Sequence, residues 1–268
     1  MSFAVSISIL GLVQAALVAL PAPFRVAWLD RLRSPWLALI PALSIVVVVG
    51  AIELDAGSAT ALAWLALVTV PPLAAVALAF LVHGSRPSWA LVVLPLFALA
   101  WAAKGALAGE AAAVALSGLG CVTLGWLLVS TVAASWLRLG VYAMATIDAV
   151  YVSADLLQGP NAVLSVAVPA ADLPQLQAVH FGHAQMGFGD LFVAALVGCL
   201  LAATRPRQLR AAALVALLAL TFDLLFFAVD TLPATVPVAV ALALVVRGDG
   251  RPVAGATTVK GSGLDVSR

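Results

Sequence analysis

Charged side chains are scarce in this 268-residue chain: Asp, Glu, Lys and Arg together make up 9% of it. That is too little to clothe the surface of a water-soluble domain, so a soluble globule is excluded. Cysteine is nearly missing as well. The two present, Cys121 and Cys199, both fall inside apolar runs and read as small packing residues, which leaves no disulfide framework. No His/Cys/Glu cluster has the spacing of a zinc site, so no metal is expected. Neither a Ser-plus-His arrangement nor a Walker loop occurs, and no cofactor is implied. The formal net charge is +1 with no basic patch and interleaved aromatics, so nucleic acid is not a partner.

What fills the chain is apolar: 64% hydrophobic residues and a mean hydropathy of +1.16. Apolar runs of about 17–25 residues recur from end to end, the signature of a polytopic α-helical membrane protein in a lipid bilayer. The first, Ser2–Leu20, has no basic n-region and reads as a spanning helix ending near Pro21 and Pro23 rather than a cleaved signal peptide. Runs follow at Trp36–Ile52, Thr60–Val82, Trp89–Ala103 and Ala111–Ser135. Four more lie at Leu137–Leu157, His183–Ala203, Leu209–Val229 and Leu232–Val246, making nine. The organisation is therefore residues 1–136, N-terminal helices 1–5; 137–246, helices 6–9; and 247–268, a Gly/Ser/Thr-rich tail that is expected to be disordered.

Basic residues set the orientation. With the N-terminus outside, the cytoplasmic connections hold Arg25, Arg31, Arg33, Arg86, Arg138, Arg205, Arg207 and Arg210, and the tail adds four more. That places twelve of the thirteen basic residues inside, with only Lys104 outside. The expectation is a multi-pass protein of the cell membrane, N-terminus out and C-terminus in the cytoplasm.

Against this background two acids stand out. Asp190 follows Gly187-Phe188-Gly189 inside an apolar run, and Asp148 lies one run earlier. A carboxylate within a span costs roughly 2.5–3.5 kcal/mol on insertion scales, so it marks a functional site by default. The glycines remove bulk beside Asp190 and let another backbone or a substrate approach. Counted at 1.5 Å per residue, Asp148 is roughly 16 Å and Asp190 roughly 20 Å from the cytoplasmic ends of antiparallel helices, a similar depth. Two carboxylates facing each other share one proton. Such a pair can activate water as base and protonate a leaving amide nitrogen as acid, which is peptide hydrolysis.

Two further stretches belong to this picture. Leu232-Pro233-Ala234-Thr235-Val236-Pro237 heads the last run, and its prolines interrupt regular helix and free backbone groups near the site. Gly159-Pro160 ends the sixth helix, and Asn161–Val168 is β-branched enough to be extended, with a re-entrant or surface loop as the alternative. Asp223, inside the eighth run, needs a partner or water, with a third polar group near the site as the functional alternative. Asp155 and Asp230 read as interfacial. His180 and His183 read as residues near a water interface, with proton delivery or metal binding as the functional alternative.

Taken together the motifs resemble the presenilin and signal peptide peptidase family of intramembrane aspartyl proteases. The family's Gly-x-Gly-Asp matches Gly187-Phe188-Gly189-Asp190. Its Tyr-Asp matches Ile147-Asp148, with Ile for Tyr, and its Pro-Ala-Leu matches Pro233-Ala234-Thr235, with Thr for Leu. The resemblance covers about Leu137–Val246. It implies Asp148 and Asp190 as catalytic residues, with Gly187, Phe188, Gly189, Pro233, Ala234 and Thr235 shaping the substrate site. It also implies a presenilin-like bundle of about nine transmembrane helices, with a short extended segment between helices 6 and 7 that pairs with substrate. The substrates would be transmembrane helices or signal peptides. The N-out orientation is that of the signal peptide peptidase branch. The absence of a long insertion between helices 6 and 7 resembles a compact prokaryotic member working without an obligatory partner subunit.

Two other readings use the same acids. A proton-coupled transporter or channel would relay protons through Asp148 and Asp190, although no inverted repeat relates the two halves. A prepilin peptidase-like protease also resembles Gly-x-Gly-Asp enzymes. It usually carries a basic residue soon after the Asp, where Leu191-Phe192-Val193 stand here.

Overall fold

The computed structural model describes residues 1–26, 29, 34–55, 57–154, 156, 163, 167, 173–227, 229 and 231–248. The chain is mostly helical, at 77%. Among the described residues there are nine α-helices: α1 (Phe3–Ala19), α2 (Ile40–Leu54), α3 (Gly57–Val76), α4 (Val93–Ala102), α5 (Leu107–Thr131), α6 (Ala134–Ser153), α7 (Phe188–Leu201), α8 (Arg205–Phe222) and α9 (Thr235–Gly248). Each falls on one of the nine apolar runs. A hairpin of β1 (Ala178–Phe181) and β2 (Ala184–Gly187) lies between α6 and α7.

Among the described residues three stretches are long and apolar enough to cross a membrane: Gly57–Leu81, Leu107–Thr131 and Arg205–Phe226, with mean hydropathies of 2.1, 2.0 and 2.0. Phe3–Ala19, Pro87–Ala102, Phe188–Leu201 and Thr235–Arg247 are shorter apolar helices. Large apolar side chains such as Val47, Val68, Leu94, Leu217 and Leu224 are exposed on the perimeter. Soluble monomers rarely expose so much apolar surface.

The innermost element is α7. Every residue from Leu191 to Cys199 is buried, as expected of a helix apolar all round. It packs against α1, α5, α6, α8 and α9. Small residues make this closeness possible. A Cβ on Gly198 would sit 2.7 Å from the carbonyl oxygens of Leu17 and Val18, and one on Gly125 of α5 would sit 3.0 Å from the Leu196 Cα. At the far end of α7 from the hairpin, buried Gln208 donates to Pro21 O at 2.8 Å and Gly198 O at 3.2 Å, tying α8 to α1 and α7.

The seventh run does not enter as helix at His183. Residues 184–187 form a strand in which Ala184 and Met186 are buried while Gln185 and Gly187 are exposed, the two-residue period of a strand. The register pairs Ala178 with Gly187, Val179 with Met186, His180 with Gln185 and Phe181 with Ala184. Gly182, at φ 61°, opens the two-residue turn, a conformation glycine adopts freely. Its N–H donates to Glu110 Oε2 at 2.7 Å, and the His183 N–H donates to Ser6 Oγ at 3.1 Å, so the turn is pinned to α5 and α1.

An extended segment thus does lie between the sixth and seventh helices, but at 178–187. Of Asn161–Val168 only Val163 and Ala167 are described. Ala167 N donates to Val163 O at 3.2 Å. The remainder of that segment, Gly159-Pro160, Asp155, Asp230 and the tail beyond Gly248 lie outside the described residues. Arg247, counted with the tail from sequence, belongs to the last turn of α9.

Candidate active site

Asp190 is positioned by its immediate sequence. β2 ends at Gly187, which is also the residue capping α7, and Asp190 occupies the first turn. Asp190 Oδ2 accepts the Gly187 N–H at 3.0 Å, half of a capping box whose other half glycine cannot supply. The acid therefore sits at the positive end of α7, where a carboxylate is favoured, rather than in mid-helix as the apolar run suggested. Gly189 serves contact: a Cβ there would come to 3.0 Å from Met144 Cε. Met144 is one turn before Asp148 on α6, so the bare glycine brings the start of α7 against the helix of the other acid.

Asp148 is positioned from a distance. It is buried, at 8% exposure, and its Oδ2 accepts both the Thr235 hydroxyl at 2.6 Å and the Thr235 N–H at 3.4 Å. Thr235, the residue that stands where the family motif has Leu, is therefore a direct partner of the acid. Ile147 lines a separate shallow depression with Val46, Thr146, Val150 and Tyr151, away from the acids. The hydroxyl at Asp148 comes from α9 rather than from the neighbouring residue on α6.

Gln14 joins the two neighbourhoods, and sequence reasoning missed it. It is 1% exposed in the middle of α1, and its Nε2 donates to Asp190 O at 3.4 Å and Ala234 O at 3.2 Å. One amide thus ties the residue bearing one acid to the residue before the partner of the other. The available signal was a lone amide in a 17-residue apolar helix. The backbone around Pro233-Ala234-Thr235, read as free, is in fact engaged by Gln14 and Asp148. Pro237 also breaks nothing, because it lies in the first turn of α9, where no intrahelical N–H is required.

Asp148 and Asp190 line one cavity of about 1240 Å³. Gln14, Gly187, Phe188, Gly189, Ala234 and Pro237 line it too, whereas Thr235 stands behind Asp148 and Pro233 is set back. His183 and Asp223 reach the same cavity, and His180 lies outside it, in β1. The walls are mostly apolar, from α1, α3, α5, α7 and α9. Small-molecule pockets usually span about 300–1,000 Å³, so this volume suits a larger, apolar occupant.

No protein-family model, curated protein or solved structure matches the chain. The reading of the site rests on its own geometry.

Proposed function

We propose that the chain is an intramembrane aspartyl endopeptidase of the presenilin and signal peptide peptidase kind, a bundle of about nine spans with its N-terminus outside and its C-terminus in the cytoplasm. The observation that carries this reading is the pair Asp148 and Asp190, on separate helices, both opening into one large apolar cavity. The pair holds one proton between them. The ionised carboxylate draws a proton from water, whose oxygen adds to the scissile carbonyl. The protonated one then gives its proton to the amide nitrogen as the C–N bond breaks. An apolar cavity accepts a transmembrane helix or signal peptide, but its amides must first leave their helical hydrogen bonds, and unpaired amides in apolar surroundings cost several kcal/mol each. The β1–β2 hairpin leads straight into Asp190, so a substrate strand added to its edge has its freed amides paired beside the acid.

The test is incubation of the purified protein in liposomes with a model transmembrane peptide, wild type beside Asp148→Asn and Asp190→Asn. Cleavage by the wild type and none by either variant is the expected result. Full cleavage by either variant removes the assignment.

A further inference from the structure

The cavity holds a third carboxylate, which the two-acid mechanism does not use. Asp223 caps the C-terminal end of α8 and lines the same space as Asp148 and Asp190. Among the described residues it accepts one hydrogen bond, from Ser8 Oγ to Oδ2 at 3.2 Å. A carboxylate offers about four lone-pair sites, so the bond from Ser8 leaves most of its accepting capacity unused. The surrounding wall is apolar: Phe3, Ile7, Ala219, Phe222 and Phe226. Gly11 keeps the space in front of it open, since a Cβ there would stand 4.0 Å from Asp223 Oδ2 and 3.0 Å from the Ala219 Cβ. Among the described residues lining the cavity there is no Lys or Arg, and His183 is the one basic side chain.

An unneutralised carboxylate in an apolar wall is costly, and a cation supplied by the occupant offsets that cost. We propose that Asp223 and Ser8 form a subsite for a Lys or Arg side chain of the substrate, an inference that rests on the peptidase reading above. The basic residue it takes is one flanking the apolar stretch of a transmembrane segment or signal peptide. Its long stem lies along the apolar wall while its charged head meets the carboxylate.

The fold also fixes the distance. Ile7, Gly11 and Gln14 form one strip of α1 along the cavity, and Gln14 touches the Asp190 backbone. Ser8 precedes Gln14 by six residues, about 9 Å along the helix axis. An unwound substrate advances about 3.3 Å per residue, so the subsite reads a side chain about three residues from the scissile bond. It would set the register of cleavage.

The experiment is a lysine walk. Otherwise identical transmembrane peptides carry one Lys, or norleucine as an uncharged counterpart, at successive positions on both sides of the cleaved bond, and kcat/KM is measured. With wild-type protein, Lys exceeds norleucine by about tenfold or more at about three residues from the cut, on one side only. Asp223→Asn collapses that ratio toward one, and Asp223→Lys transfers the preference to Glu at the same position. A flat walk with wild type overturns the subsite, and so does a lysine peak that persists in folded Asp223→Asn. The wild-type walk needs no variant, so it decides even if substitution at Asp223 prevents folding. Wild-type protein that cleaves none of the peptides removes the peptidase reading itself, whereas a flat walk removes the subsite alone.

Discussion

Asp190 accepts its hydrogen bond from Gly187, three residues earlier, whereas Asp148 accepts both of its bonds from Thr235, 87 residues later. The first acid is set by a strand-to-helix junction that a short peptide encodes. The second exists as a site only when α9 has docked on α6. A disturbance of packing should therefore reach Asp148 before it reaches Asp190. In a two-acid mechanism the pair fails with its weaker member. The site thus depends most on contacts that lie far from its recognisable motif.

The largest effect comes from the acids themselves. Asp148→Asn and Asp190→Asn each remove a proton-transfer group, and cleavage should fall by roughly 10²–10⁴-fold. Thermal unfolding followed by intrinsic fluorescence should change little, because the charge was a cost to the apolar bundle. If either variant keeps full turnover, the two acids are not partners in the chemistry.

Next comes the long-range anchor. Thr235→Val keeps the shape and removes the hydroxyl, so turnover should drop by roughly 10–100-fold, the worth of a hydrogen bond to a charged group. Thr235→Ser should restore most of it. The local counterpart is Gly189→Ala, whose new methyl meets the flexible end of Met144 at 3.0 Å. Its loss should be under about tenfold, since Met adapts readily, and Met144→Ala in the same chain should recover it. Equal losses at Thr235 and Gly189 would remove the proposed difference between long-range and local support.

A smaller effect separates two of the buried glutamines, Gln14 and Gln208. Gln14→Leu strips a donor from Asp190 O and Ala234 O, and should cost about 1–2 kcal/mol of stability and lower kcat by roughly 3–10-fold. Gln208→Leu strips a donor from Pro21 O and Gly198 O, away from the acids, and should lower stability by a similar amount with kcat unchanged. Equal kcat losses in both variants would mean that Gln14 acts through general packing.

These contacts also explain which parts were legible in the sequence. Length and hydropathy mark nine apolar runs, and each became a helix, because an apolar stretch of that size leaves its backbone little alternative. Gly187-Phe188-Gly189-Asp190 was legible because its geometry is local. Thr235 could be placed near the acids only through its motif, and its bond to Asp148 depends on the packing of α9 against α6. Gln14 was missed for the same reason, since nothing in α1 reveals which carbonyls its amide will face. The hairpin was hidden because Ala184-Gln185-Met186-Gly187 is too short for its alternation to stand out from the apolar run that follows. Asn161–Val168 attracted the strand assignment by its β-branched residues, and most of it lies outside the described residues.

The smallest effect concerns the hairpin that leads into Asp190, and it is a matter of pH. His180 lies in β1 opposite Gln185, partly buried, with Nε2 enclosed and without a hydrogen-bond partner among the described residues. Burial lowers its pKa below the ordinary histidine value, and the nearby charge of Glu110 opposes this with a lesser effect. In the unfolded chain the imidazole takes its proton near pH 6.5. Between that value and the lower folded one, the unfolded state binds more protons, so stability rises with pH there. The hairpin is therefore at full stability above about pH 6.5 and weakens as the pH falls through it. Amide exchange at Phe181, Ala184 and Met186, corrected for intrinsic rates, should show protection decreasing from neutral to mildly acidic pH. His180→Asn should flatten that dependence, whereas His183→Asn, at the exposed turn, should not. An unchanged pH response in His180→Asn would assign the weakening to another group and leave the support of Asp190 independent of this histidine.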